Sequence, residues 1–77
     1  MRSREYADVV RRLRAYDRRF FIHVTRGKGS HRMIYHPDID GREIHSTIPY
    51  HGNKTEIPVR MLRNIIHVFQ LPPDIFD

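Results

Sequence analysis

Phe20-Phe21-Ile22-His23-Val24-Thr25-Arg26-Gly27-Lys28-Gly29-Ser30-His31-Arg32-Met33-Ile34-Tyr35-His36-Pro37 is the stretch that decides the fold. Residues Phe20 to Thr25 are aromatic or β-branched apart from His23, a composition that favours a short pleated strand. Glycines at 27 and 29 end it, and Arg26-Gly27-Lys28-Gly29-Ser30 reads as a hairpin connection. His31 to His36 forms the return strand, stopped by Pro37, which lacks the amide a ladder needs.

Beyond Pro37 comes a polar turn, Asp38-Ile39-Asp40-Gly41, in which Gly41 supplies a positive φ. Ile44 to Ile48 makes a third strand, bounded by Pro49. On the amino-terminal side, Tyr6, Val9, Val10, Leu13 and Tyr16 recur at three- and four-residue spacing. They form the apolar stripe of a helix, with Ser3 as N-cap and arginines 11, 12 and 14 on other faces. On the carboxy-terminal side, Pro58 fits the first turn of a second helix that carries Leu62, Ile65, Ile66 and Phe69 on one stripe. Pro72-Pro73 ends that helix. Both stripes need cover, and a three-stranded meander with one apolar face provides it. The expected architecture is a two-layer α+β sandwich in the order α-β-β-β-α.

The chain has 77 residues, read as one domain over 1–77 with a core at about 5–70 and a short tail at 71–77. A domain of this size buries only about 60% of its unfolded surface, so a shallow surface site suited to a polymer is expected rather than an enclosed cleft for a metabolite. There is no cysteine, which excludes a disulfide framework, a thiolate nucleophile and a zinc knuckle, and fits a reducing cytoplasm. No apolar run approaches a membrane span, and the charged start Met1-Arg2-Ser3-Arg4-Glu5 is unlike a signal peptide, so a soluble, unexported protein is expected.

Fourteen Lys and Arg against nine Asp and Glu leave a net charge of +5. Residues 1–35 hold ten of the bases and only three of the acids, so the first helix and the loop before His31 carry the positive potential. An anionic partner is implied. Arg11-Arg12-Leu13-Arg14 and Arg18-Arg19 form a solvated face that also suits RNA phosphates or an acidic protein surface.

Lys28-Gly29-Ser30-His31 and His51-Gly52-Asn53-Lys54 concentrate groups suited to cutting RNA. The only two lysines of the chain lie in these two loops. RNA is cut when its 2′-hydroxyl attacks the adjacent phosphorus. That step needs a proton removed, charge on the phosphoryl oxygens stabilised and the leaving 5′-oxygen protonated. Imidazole performs either proton transfer near neutrality. Arg26, Lys28 and Arg32 supply the electrostatic part, and Gly27 and Gly29 let backbone amides approach a phosphate. A meander returns His51 and Lys54 close to the start of the second strand, as a phosphate clamp or second proton-transfer group. The bland alternatives are a histidine that caps a hairpin and a tight turn at Gly52-Asn53.

The remaining histidines look structural. His36 ends a strand and bonds locally; His23, His45 and His67 lack motif context. Six histidines raise the question of a metal, but no His-x-x-x-His pair sits on a helix and Gly41 explains Asp38 and Asp40 as a turn, so no metal and no other cofactor is expected. Phe20, Phe21, Tyr35 and Tyr50 all offer rings that can stack on unpaired bases; burial against the helices is the favoured reading for the two phenylalanines, and Tyr50, beside the histidine loop, is the better stacking candidate.

Lys28-Gly29-Ser30-His31, then His36-Pro37, then Thr47-Ile48-Pro49-Tyr50-His51-Gly52-Asn53-Lys54, then Leu62-Arg63-Asn64-Ile65-Ile66 occur in the order found in HicA (YcfA-like) toxins, and the chain resembles that family over about residues 5–70. The resemblance implies a double-stranded-RNA-binding-domain-like fold and an mRNA interferase of a type II toxin-antitoxin module. It implies His31 as the catalytic histidine, with Arg26, Lys28, Gly29, Ser30, Arg32, His51 and Lys54 around the RNA. The implied partners are messenger RNA and a HicB-type antitoxin, with no membrane. Two departures stand out. Asp17-Arg18-Arg19-Phe20-Phe21 replaces the family's usual glycine and tryptophan at the helix-to-strand junction, and Leu71 to Asp77 adds a tail in which Ile75 and Phe76 are expected to pack on the domain or a partner. The rival reading is an RNA-binding module of the same fold without catalysis.

Overall fold

A computed structural model describes residues 1–24 and 29–77. The elements run β1 (Arg4–Glu5), α1 (Tyr6–Tyr16), β2 (Phe21–His23), β3 (His31–Ile39), β4 (Arg42–Pro49), β5 (Glu56–Ile57) and α2 (Val59–Phe69). β2, β3 and β4 make an antiparallel sheet in that order, so the expected helix, three-stranded meander and helix are present in an α+β arrangement. Even-numbered Ile22, Ile34, His36 and Ile48 are buried, and they share the interior with Val9 and Leu13 of α1 and Leu62, Ile65 and Phe69 of α2. Both helices therefore lie over one face of the sheet. The odd-numbered residues of the strands are left on the other face.

A short second ladder, β1 with β5, is the element that sequence periodicity misses, because two residues carry no period. It changes how α1 begins. Glu5, not Ser3, is the N-cap and makes no side-chain cap; the Ser3 hydroxyl instead donates to the Glu56 carboxylate across the ladder. The first-turn amides are satisfied from outside the helix: Tyr6 N–H donates to Thr55 O at 2.8 Å and Ala7 N–H to Asn53 O at 3.0 Å. A side-chain cap would be redundant.

Pro37 does not stop β3, which continues to Ile39. The register slips between His36 and Ile39, so the proline sits in a bulge where its missing amide breaks no ladder bond. The following turn places Asp40 at φ 54° and Gly41 at φ 81° between the paired Ile39 and Arg42. These are the two left-handed central residues of a tight hairpin, and Gly41 N–H is tied to Asp38 Oδ1 at 2.9 Å.

Pro58 lies one position before α2, as its extended N-cap, and its carbonyl accepts the Met61 and Leu62 amides at 3.0 Å each. The helix ends before Pro72-Pro73. Gln70 turns left-handed at φ 53°, and Leu71 N–H reaches back to Ile66 O at 3.0 Å, closing the last turn. The tail then folds onto the domain: Leu71 and Phe76 join the core and Ile75 packs beside it. Arg4 Nε donates to Phe76 O at 2.8 Å, and Arg12 Nη1 to Ile75 O at 3.0 Å and Asp77 O at 2.8 Å. Arg12, which reads from sequence as partner-facing, thus holds the tail together with Arg4.

Phe20, just before β2, and Phe21, its first residue, behave differently. Phe20 is buried, whereas Phe21 is 50% exposed, because the strand alternates and only one of two neighbours can face the helices. Asp17 replaces the missing glycine at this junction. Its carboxylate accepts the Arg19 backbone amide at 3.0 Å, Arg19 Nη2 at 3.0 Å and His36 Nε2 at 2.8 Å. Arg19, first through its side chain and then its amide, and after it His36, hold the Asp17 carboxyl far below its ordinary value. His36 is the one buried polar residue among those described, and its Nδ1 accepts Asp38 N–H at 3.0 Å, which fixes the proton on Nε2.

Candidate active site and nucleic-acid interface

His31 is the first residue of β3, exposed, and paired in register with Pro49 on β4. Gly29 leads into it at φ 61°, a conformation open to glycine at no cost. The Tyr50 amide donates to Ser30 O, so the segment after β4 is stitched to the residue before His31. The expectation that the meander brings His51 and Lys54 back towards the start of β3 agrees with this register. Thr55 shapes that segment: its hydroxyl accepts the His51 amide at 2.7 Å and donates to Gly52 O at 2.7 Å, while its amide reaches Gly52 O at 3.1 Å. His51 and Lys54 are exposed on this pinned loop. Thr25, Arg26, Gly27 and Lys28, which include two of the expected phosphate-binding residues, lie outside the described residues.

Arg32 is turned to the helix side, opposite His31. Its guanidinium lies 3.4 Å from the centroid of the Tyr50 ring and 5.6 Å from that of Tyr6, and Nη1 donates to the Tyr6 hydroxyl at 3.2 Å. The two tyrosines meet edge to face at 4.7 Å. This half-buried cation is pre-oriented by stacking and a hydrogen bond. One consequence concerns Tyr50, the expected base-stacking residue: a face of its ring is already covered by Arg32.

Arg32 opens on a groove of about 390 Å³ between α1 and the sheet, lined among others by Arg11, Arg14, Val10, Val24 and Asn53. Among the described residues no carboxylate lines it. Arg11 is paired with Asp8 on its own helix, whereas Arg14 and Arg32 make no ion pair among the described residues. A larger hollow of about 720 Å³ at the start of α1 mixes Arg2, Arg4 and Arg11 with Glu5, Asp8 and Glu56, so its charges cancel locally. The Arg32 groove is the better place for a polyanion.

Other histidines have roles that spacing alone did not assign. His36 locks the junction described above. His23 and His45 lie on the outer sheet face with Tyr35, whose phenol is raised above its ordinary value by desolvation first and by the Glu43 carboxylate second. Among the described residues no group of three or more His, Asp or Glu side chains is arranged to hold a metal ion, and no helix is long and apolar enough to cross a membrane.

Two helices on one face of a three-stranded antiparallel sheet, with an exposed histidine at a strand head and a basic groove behind it, define a small α+β protein. The family model described as HicA toxin of bacterial toxin-antitoxin matches residues 6–71, and the chain belongs to that family. It is therefore the toxin side of a toxin-antitoxin pair, which implies an antitoxin partner. No curated protein and no solved structure matches the chain. Phe76 and Arg4, which donates to its carbonyl, fall outside the matched span, although Phe76 fills the core.

Proposed function

We propose that this toxin is a metal-independent endoribonuclease that cleaves messenger RNA in the cytoplasm, with His31 as general acid or base, until a HicB-type antitoxin covers it. The observation that carries this reading is an exposed imidazole at the head of β3, joined through the Tyr50–Ser30 hydrogen bond to the loop that bears His51 and Lys54, in a HicA-family chain.

An RNA strand crossing the head of β3 meets His31 on one side and Arg32 on the other. His31 takes the 2′-hydroxyl proton or returns one to the leaving 5′-oxygen. The negative charge that grows on the phosphoryl oxygens is met by Lys28, Arg26, Arg32 and Lys54, with the Gly29 and Ser30 backbone close to the phosphate. Arg32 needs no reorganisation to do so, because Tyr6 and Tyr50 already hold it. His51 is the candidate for the second proton transfer. No step calls on a metal.

The test uses purified wild type and His31→Ala with messenger RNA. Wild type cuts the RNA and arrests growth, chelator leaves cutting intact, and His31→Ala loses about 10²–10⁴-fold in cleavage while still binding RNA and antitoxin. If wild type binds RNA but never cuts it, the non-catalytic module is the correct reading.

A further inference from the structure

The face of the sheet turned away from the helices carries rings instead of the polar cover usual for a solvated antiparallel sheet. Phe21, Tyr35 and His45 stand opposite one another across β2, β3 and β4. Tyr35 and His45 rings are 4.8 Å apart, Phe21 and His23 4.7 Å, and His23 lies parallel to His45 at 6.1 Å with an interplanar angle of 24°. Phe21 is half exposed, an outlay of apolar surface that the core does not use. Strand alternation puts His31 on this same face, two pleats along β3 from Tyr35, which is about 13 Å.

We propose that this ring-covered sheet face binds unpaired nucleobases of single-stranded RNA by stacking, so that the strand is laid across the sheet towards His31. The inference rests on the ribonuclease reading for its ligand. Three observations favour a nucleic-acid strand as the occupant. The chain as a whole carries net charge +5, which draws in a polyanion, and among the described strand residues this face opposes it with one carboxylate, Glu43. Its rings, of which Phe21 and His45 are exposed and Tyr35 and His23 partly so, are planar π-systems, the chemistry that takes any base. It is continuous with His31 on β3, so a base seated on Tyr35 or Phe21 belongs to the strand whose backbone passes the strand head.

The test measures affinity of the whole chain for a 2′-O-methyl single strand of about twelve nucleotides, a length within the range of single-strand sites, and for the corresponding duplex. The methylated sugar has no nucleophile, so binding is read apart from cutting. Phe21→Ser, Tyr35→Ser and His45→Ala each weaken single-strand binding, with losses of about 5- to 150-fold for the two larger rings, while Tyr35→Phe stays near wild type. Duplex affinity does not change, and melting curves check that each variant folds. Wild-type affinity in Phe21→Ser and Tyr35→Ser overturns the proposal, as does equal loss for single strand and duplex. So does a wild type that does not bind the single strand, or a loss confined to antitoxin binding, which would assign the face to a protein. Cutting of unmodified RNA by wild type is scored separately: a chain that binds through these rings but never cuts keeps the platform and loses the ribonuclease.

Discussion

Asp17→Ala is the substitution that most sharply tests how the helix-to-strand junction is held. The carboxylate is the acceptor for Nε2–H of His36, a ring only 1% exposed whose other nitrogen is occupied by Asp38 N–H. Removing it leaves a buried donor with no partner, a cost of about 1–3 kcal/mol. The Arg19 contacts add little, since that side chain is 55% exposed and an exposed pair contributes about 0–1 kcal/mol. A loss of about 2–3 kcal/mol in a domain of this length lowers Tm by roughly 8–24 °C, readable by circular dichroism. In a His36→Phe background the same substitution costs less, because no donor is orphaned, and a double-mutant cycle gives the coupling directly.

The pH dependence has a definite sign. Asp17 is held below its ordinary value of 3.8, so its contribution is fully present above that pH and is lost only as acid titrates the native carboxyl. The stability gap between wild type and Asp17→Asn is therefore flat from about pH 8 to 5 and closes in stronger acid. An Asp17→Ala protein that melts with wild type, or a gap that already closes between about pH 7 and 5, refutes the reasoning.

Phe76→Ala empties a core position and costs about 3–5 kcal/mol, measured by urea unfolding. Arg32→Ala weakens binding to single-stranded RNA and flattens the slope of log affinity against log salt by about 0.7, the value of one lost phosphate contact. Thr55→Val frees the His51 amide, costs about 1 kcal/mol in thermal stability and lowers cleavage without changing His31.

The parts of the fold set by local periodicity were legible in the sequence. Tyr6, Val9 and Leu13, and Leu62, Ile65 and Phe69, face the interior as their spacing requires. Parts set by partners distant in sequence were not. Ser3 has the chemistry of an N-cap, but Thr55 and Asn53 reach the amides first. Pro37 has the chemistry of a strand terminator, but a bulge accommodates it. At the candidate site, motif order located the exposed His31 and the loop of His51 and Lys54. Arg32 held by two tyrosines, His36 locked to Asp17 and the rings of the outer face depend on cross-strand register and on α1, which no single stretch of sequence encodes. The alternation of Phe20 and Phe21 was the one available signal that two adjacent aromatics cannot both be buried in a strand.

The placement of Phe76 has a consequence for biosynthesis. Synthesis proceeds from the amino terminus, so Arg4, Arg12 and the helices that surround this ring are all made before it. The nascent polypeptide therefore carries an unplugged interior until Phe76 has left the ribosome, and closure of the core waits for a residue made after both helices.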